Sequence, residues 1–210
     1  MHATGQVISF KTDAAFPFEC LAVATNSELP ADIAVREASL VEDRFSARFS
    51  AIERTYLYAV ISRPARPPLL ARYADYVWSE LDIQAASEAA VRLIGTHDFR
   101  SFCGMLPESG STERTIRALT VTRSADLIRI EIRADGFLHH MVRTIVGTLL
   151  ECAMGRRTPD SVARILTAKD RSAAGPTAPP RGLYLAGVRY RDGFDSFAEP
   201  PVFARVFAPV

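Results

Sequence analysis

The spacing of apolar residues changes between positions 127 and 154, and this change constrains the possible folds more than any other feature. Ile128, Ile130 and Ile132 alternate with charged residues, which is the pattern of a β-strand with one wet face. Apolar residues then recur at helical spacing along one stripe: Leu138, Met141, Val142, Ile145, Val146, Leu149, Leu150 and Ala153. A strand followed at once by an amphipathic helix requires a sheet with a helix packed on it.

Similar patterns predict the other elements. Strands are expected at 5–10, 32–41, 47–61, 115–122, 127–133 and 183–188, and helices at 15–28, 82–94, 137–154 and 159–168. Residues 63–68 are rich in proline and predict a connection, and residues 95–102 predict a loop. Strands and helices mix without strict alternation, so the fold class is predicted to be α+β.

The composition excludes several classes of protein. Of 210 residues, 48% are hydrophobic, which suits a folded core and excludes a disordered chain. Apolar runs are too short for a transmembrane helix, and residues 1–6 do not resemble a signal peptide. The three cysteines are scattered, as expected in a reducing compartment. We expect a cytoplasmic protein without a membrane partner.

The net charge of +1 hides an uneven distribution. Residues 1–60 carry a net charge of −3, and residues 140–190 carry a net charge of +5. Arginine supplies 23 of the 25 basic residues. A phosphate-facing surface would have this bias, but a GC-rich genome would also favour arginine codons.

Motifs for metal or nucleotide chemistry are absent from the sequence. His139 and His140 are adjacent, so their side chains point apart in either a helix or a strand, and structural roles are favoured over metal binding. No phosphate-binding loop, dinucleotide-binding glycine motif or G-x-S-x-G motif is present. We predict neither a metal site nor a cofactor.

Polar and small residues follow the second face of the predicted helix, namely His139, Arg143, Gly147 and Glu151. Glycine within a helix costs about 1 kcal/mol relative to alanine, so Gly147 indicates close approach of another element. Two roles are open for Arg143. In one, its aliphatic part packs against the protein with the guanidinium in water; in the other, its guanidinium lies at the rim of a pocket that binds an anion. On the strand at 47–61, Tyr56 and Tyr58 suit either base stacking or ordinary half-buried packing.

Nine ordered strings together resemble the TruA-type tRNA pseudouridine synthases. They are Ala3-Thr4-Gly5-Gln6-Val7, Leu29-Pro30-x-Asp32-Ile33, Ala47-Arg48-Phe49-Ser50-Ala51, Tyr56-x-Tyr58, Gly95-x-His97-Asp98-Phe99-x-Ser101-Phe102, Arg114-Thr115-Ile116, Phe137-x-His139-x-Met141-Val142-Arg143-x-Ile145-Val146-Gly147, Ala168-Lys169-Asp170-Arg171 and Gly182-Leu183-Tyr184-Leu185. The resemblance extends from residue 2 to about residue 190.

The resemblance implies a cofactor-free isomerase that converts uridine to pseudouridine at positions 38–40 of the tRNA anticodon stem-loop. It further implies a pseudouridine-synthase fold, with a mostly antiparallel mixed sheet flanked by helices, and a homodimer that binds tRNA. In the family, the residue matching Arg143 pairs with a nucleophilic aspartate, and the tyrosine matching Tyr56 stacks on the target base. The leucine matching Leu183 lines an apolar pocket, and His139 is a further candidate for substrate binding.

The family's aspartate lies in a motif G-R-T-D-A-G-V-H, and this chain has Met1 where the valine of that motif stands. The nucleophile would therefore precede Met1. We expect a truncation or a misplaced gene start that removes the first strand–helix unit, and a chain that is inactive as written. The carboxylates Asp13, Asp32 and Asp98 are not spaced to replace it.

The resemblance also predicts a division of the chain. Residues 1–45 would be the remnant of an N-terminal catalytic subdomain, residues 46–190 a C-terminal synthase subdomain, and residues 191–210 a loose tail. The alternative function is a non-catalytic RNA-binding module that retains the tRNA groove.

Overall fold

A computed structural model of the chain describes residues 1–108 and 110–191 in full, and residues 196–197 as backbone alone. Within these residues the strands are β1 (His2–Ala3), β2 (Ala51–Ser62), β3 (Asp75–Val77), β4 (Gly95–Asp98), β5 (Glu113–Ser124), β6 (Leu127–Ala134), β7 (Leu183–Tyr190) and β8 (Ser196–Phe197). The α-helices are α1 (Leu21–Glu28), α2 (Ile83–Val91), α3 (Met141–Ala153) and α4 (Ser161–Ala168). Most of the predicted tail lies outside the described residues.

The chain divides into two compact units. One comprises residues 1–7 together with residues from 51 onward, and the other comprises residues 8–50. All eight strands lie in the first unit, together with α2, α3 and α4. The first unit therefore contains Arg143, Tyr56, Leu183 and His139, the residues that the resemblance connects with the active site.

One mixed sheet forms the framework of the larger unit. Its main strand order is β1-β7-β2-β6-β5-β4, with β3 also paired to β2 and β8 to β7. The β1–β7 and β2–β3 pairs are parallel, and the other pairs are antiparallel. The prediction of an α+β fold with a mostly antiparallel mixed sheet is confirmed.

The main core lies between one face of this sheet and its helices. Ile128, Ile130 and Ile132 enter it from β6, as their alternation predicts, and Met141 and Ile145 enter from α3. Burying a side chain of this size contributes about 1.5–3 kcal/mol, so the sheet–helix layer accounts for much of the unit's stability. The opposite face of the sheet carries a smaller apolar cluster, composed of Leu57, Ala59, Ile61, Ala74, Leu127 and Tyr184.

The smaller unit, residues 8–50, contains no buried residue. None of the side chains of α1 is buried, and the exposed large apolar residues of this unit include Ile8, Phe10, Val23 and Leu40. Without an apolar core of its own, this unit gains little stability from burial.

Three predicted elements are absent from the structure or differ from it in type. The predicted strand at 5–10 is wrong: the amides of Thr4 and Gly5 both bond to the Leu185 carbonyl, and strand β1 ends at Ala3. The predicted strand at 32–41 is absent, since the Asn26 side chain binds both backbone polar groups of Val35. The predicted loop at 95–102 instead contains β4, which forms only by pairing with the distant strand β5.

The strongest predicted helix begins later than its apolar pattern suggests. His140 has φ of 60°, a left-handed conformation that cannot continue a helix, and α3 begins at Met141. Of the described helices, none has the length and apolar character needed to cross a membrane.

Candidate active site

Arg143 lies in the first turn of α3 with its side chain half-buried. Its Nε donates a hydrogen bond to the carbonyl oxygen of Ala178 at 2.5 Å, and the Ala178 amide donates to the Arg143 carbonyl at 3.0 Å. No carboxylate in the described part of the chain forms an ion pair with Arg143. The guanidinium is thus fixed at Nε, while its two Nη groups remain able to bind an anion.

Residues 171–182, here called the 171–182 loop, pack along α3 and explain its glycine. A Cβ at Gly147 would lie 1.8 Å from the Pro176 carbonyl oxygen, so the predicted close approach is confirmed. The amide of Gly175 also donates to the Thr148 hydroxyl at 3.0 Å. This packing brings Ala178 against Arg143, and it shows why position 147 on this face of the helix requires glycine.

The two tyrosines of β2 have different environments. Tyr58 is 0% exposed, and its hydroxyl donates to the Pro179 carbonyl at 2.8 Å, so its ring cannot stack on a base. Tyr56 is only partly buried and lies edge-on to Phe137, with ring centroids 5.0 Å apart. Burial raises the pKa of Tyr56 above its ordinary value, although Arg54 acts in the opposite direction. Of the pair, Tyr56 alone is accessible to a ligand.

Leu183 begins β7 directly after the 171–182 loop. It lies opposite Tyr58 in the strand register, is 5% exposed and belongs to the main core. Tyr56 packs against the same core, and the positive charge of Arg143 acts on Tyr58. The fold therefore brings Arg143, Tyr56 and Leu183 to one side of the sheet.

His139 lies just before α3 and is exposed. Its ring stacks on His140 at a centroid distance of 3.8 Å, and both rings pack near Gly104. Burial lowers the pKa of His140, with His139 and nearby arginines acting in the same direction. In the described residues, no group of three or more His, Cys, Asp or Glu side chains could hold a metal ion.

A buried network beside this site was not predicted from the sequence. Asp75, whose side chain is 8% exposed, accepts hydrogen bonds from Arg181 Nη2 at 2.6 Å and Nε at 3.1 Å. The Tyr58 hydroxyl lies 3.4 Å from the other carboxylate oxygen of Asp75. Burial and the Asp75 charge raise the pKa of Tyr58, so its hydroxyl stays a proton donor. No local pattern marks this network, because its partners are far apart in sequence.

The carboxylate of Asp98 is bound by Thr112 and Lys169 and not by Arg143. The Thr112 hydroxyl donates to it at 2.5 Å, and Lys169 Nζ lies 3.0 Å from its second oxygen. These contacts, led by the Thr112 hydrogen bond, lower the pKa of Asp98. Asp13 and Asp32 belong to the smaller unit.

Comparison with known proteins identifies the family of the chain. A family model described as tRNA pseudouridine synthase matches residues 89–191, which include all of α3 and β7. The tRNA pseudouridine synthase A of Bacillus subtilis (strain 168) is 47% identical over 191 residues, covering 90% of this chain and 77% of that protein.

Other curated relatives show similar coverage. The tRNA pseudouridine synthase A of Thermoanaerobacter sp. (strain X514) is 45% identical, covering 90% of this chain and 78% of its own length. That of Shewanella sediminis (strain HAW-EB3) is 40% identical, covering 93% of this chain and 75% of its own length. Matches of this identity and extent establish that the chain belongs to the tRNA pseudouridine synthase family, whose members are isomerases.

Proposed function

We propose that this chain carries the base-handling part of a synthase that isomerises uridine to pseudouridine at positions 38–40 of the tRNA anticodon stem-loop. The observation that carries the proposal is Arg143, a half-buried cation held at Nε by the Ala178 carbonyl and without an ion-pair partner among the described residues. A guanidinium held in this way can bind a carboxylate through its two Nη groups.

In the proposed reaction, the uracil is cut from its sugar, rotated and rejoined through C5. The target nucleotide must leave the base stack to reach an active site, and a partly exposed aromatic ring beside the pocket would stabilise it by stacking. Tyr56 is suited to that role, and its hydroxyl would relay the C5 proton, taking it up as its own proton passes to water. Leu183 would supply an apolar wall, and exposed His139 would contact the RNA.

Arg143 would keep the nucleophilic aspartate ionised. A cation next to a carboxylate favours the charged form and lowers its pKa by about 1–3 units. Asp75 and Asp98 are poor substitutes for that aspartate, since Asp75 is bound to Arg181 and Asp98 to Lys169. We therefore propose that the 210-residue polypeptide alone is inactive.

The position of β1 indicates where an added aspartate motif would enter. β1 runs parallel to β7 with His2 opposite Tyr184, and His2 Nε2 lies 3.1 Å from the Arg181 carbonyl. A segment G-R-T-D-A-G joined to Met1 would thus enter beside the start of β7 and the 171–182 loop. This arrangement supports a pairing between that aspartate and Arg143.

The test is release of tritium from tRNA labelled at C5 of uridine. We expect no release by the 210-residue polypeptide, and release once a family N-terminal unit containing G-R-T-D-A-G is joined to it. The extended chain with alanine in place of the added aspartate is the matched control and should be inactive. Release by the unextended polypeptide, or by the alanine control, would contradict the proposal.

The second candidate is a non-catalytic RNA-binding module. The net charge of +5 between residues 140 and 190 favours it, because such a surface binds phosphates whether or not catalysis follows. In that case tRNA affinity would fall steeply with salt, and joining the aspartate motif would not produce tritium release. The two functions are therefore separated by the same assay.

We further propose that the active synthase is a cytoplasmic homodimer with tRNA as its partner. The family resemblance supports this assembly. Light scattering on the extended chain with and without tRNA tests it, and a mass equal to one chain under all conditions would contradict it.

A further inference from the structure

The segment that binds Arg143 is attached to both the helix and the sheet. On the helix side, Ala178 exchanges two hydrogen bonds with Arg143. On the sheet side, the next residue, Pro179, accepts a 2.8 Å hydrogen bond from the Tyr58 hydroxyl through its carbonyl. A shift of Pro179 would therefore move the Ala178 carbonyl that fixes the Arg143 Nε.

Two consecutive prolines make the Tyr58 hydroxyl important for this attachment. Pro179 and Pro180 have no amide hydrogen, so this stretch cannot donate backbone hydrogen bonds to β2. The chain still approaches β2 closely, since a Cβ at Gly182 would lie 2.6 Å from the Ala59 carbonyl oxygen and 2.7 Å from the Tyr58 ring. In this close-packed segment, the Tyr58 hydroxyl supplies the hydrogen bond that the prolines cannot.

Asp75 provides a second attachment for the loop by binding Arg181, which lies two residues after Pro179. Its Oδ1 accepts from both Arg181 Nη2 and Nε, and also from the Tyr76 amide at 3.0 Å. The Tyr58 hydroxyl has one proton, and Pro179 at 2.8 Å is a better acceptor than Asp75 Oδ2 at 3.4 Å. Tyr58 thus holds Pro179 while Asp75 holds Arg181, on either side of Pro180.

From these contacts we infer that Tyr58 is a positioning residue for Arg143, supported by the Asp75–Arg181 pair. Tyr58 acts through Pro179 and Ala178 and touches neither the substrate nor the nucleophile. The catalytic consequence rests on the proposed function, since it matters only if Arg143 acts in catalysis. The effect of Tyr58 on the position of the Arg143 Nε does not depend on the proposed function.

The first test measures that geometry directly. In Tyr58→Phe the ring beside Gly182 is kept and only the hydroxyl is lost. Solvent exchange of the Arg143 Nε–H, measured by NMR and assigned by its disappearance in Arg143→Lys, should become about tenfold faster, as expected when about one ordinary hydrogen bond is lost. Exchange within about twofold of the parent chain would overturn the inference.

Tyr184→Phe is the matched control. Tyr184 is also buried, and its hydroxyl donates to the Tyr73 carbonyl, but it packs in the cluster on the opposite face of the sheet. The same chemical change there should leave the Arg143 exchange rate unaltered. An equal acceleration in both variants would mean that loss of any buried hydroxyl loosens the molecule, and would also overturn the inference.

Arg181→Ala serves as a second variant, in which the side chain that is removed is 47% exposed and Asp75 loses its cation. It removes the second attachment and should accelerate Arg143 exchange in the same direction. Unchanged exchange in both Arg181→Ala and Tyr58→Phe would leave no role for the network in positioning.

The kinetic test uses the extended chain that carries the aspartate motif. Tyr58→Phe should lower kcat about ten- to a hundredfold with little change in KM for tRNA, because misplacement of a catalytic group affects the reaction more than binding. An active extended chain with a normal kcat in Tyr58→Phe would overturn the inference. If the extended chain itself is inactive, the proposed function fails, and the exchange measurement still decides the positioning role.

Discussion

At the scale of single residues, the hydrogen-bond partners of Arg143 explain its proposed role. The sequence left open whether this side chain packs with its head in water or binds an anion at a pocket rim. The structure fixes Nε on the Ala178 carbonyl and leaves the Nη groups without a carboxylate partner in the described part of the chain. An arginine that served only to cover apolar surface would not need such a fixed orientation.

Arg143→Ala in the extended chain should therefore lower kcat about a hundredfold or more, because the charge that stabilises the aspartate is lost. Arg164→Ala is the control, since Arg164 is an exposed arginine of α4 and the substitution removes the same charge. Single-turnover tritium release measures both variants. Normal turnover in Arg143→Ala would show that the site has been assigned to the wrong residue.

Tyr56→Phe should impair catalysis more than binding. The ring that would stack on the base is kept, while the hydroxyl, which burial keeps protonated at neutral pH, is lost. We expect about a hundredfold lower kcat, as for loss of a group that transfers protons, and a tRNA Kd within about twofold of the parent. A weakened Kd with unchanged kcat would instead indicate that the hydroxyl only binds RNA.

At the scale of secondary structure elements, α3 and the 171–182 loop act as one packed pair. Gly147 meets the Pro176 carbonyl, and Gly175 meets the backbone of Thr148. These two contacts set how far Ala178 stands from the helix, and therefore where Arg143 is held. This loop explains the glycine on that face of α3.

Gly147→Ala tests the pairing. Alanine is favoured over glycine within a helix by about 1 kcal/mol, yet its Cβ would overlap the Pro176 carbonyl, so the backbone must move. We expect a net decrease of about 1–3 kcal/mol in the free energy of unfolding, measured by urea denaturation. Gly136→Ala is the control, because its Cβ would meet only the Arg114 side chain, at 3.4 Å. Stabilisation in Gly147→Ala would contradict the close contact.

Local sequence patterns predict some of these elements and fail to predict others. The strand pair β5–β6 and the core face of α3 follow from alternation and helical spacing, since each buries a face that its own residues define. β4 was missed because it forms only against β5. The start of α3 was misplaced because His140 adopts a left-handed conformation that apolar spacing does not encode.

The sequence predicts one part of the candidate site and not another. Arg143 and Gly147 are four residues apart and share a helix face, and this spacing can be recognised in the sequence. The Tyr58–Asp75–Arg181 network joins residues 17 and 106 positions apart, and no periodic pattern connects them. Only the folded chain brings these side chains together.

At the scale of the whole molecule, the two units differ in how they are stabilised. The larger unit buries a continuous apolar core, whereas residues 8–50 contain no buried side chain. Segments with few buried apolar contacts open at low free-energy cost. Most of the apolar stabilisation of the chain thus belongs to the unit that carries Arg143, Tyr56 and Leu183.

Limited proteolysis should reveal this difference. Trypsin at low concentration should cut first after Lys11, Arg36, Arg44 or Arg48, well before it cuts within β5, β6 or α3. Mass spectrometry of the early fragments identifies the sites. Early cleavage within residues 113–153 would contradict the division of stability between the units.

We propose that Arg143, Tyr56 and Leu183 serve a catalytic aspartate that is supplied by residues outside the 210-residue polypeptide. Tritium release from C5-labelled tRNA, compared between the 210-residue polypeptide and its extension with a family unit containing G-R-T-D-A-G, tests it most directly. We expect no release by the first and sustained release by the second. Release by the unextended polypeptide, or none by a folded, tRNA-binding extended chain, would contradict it.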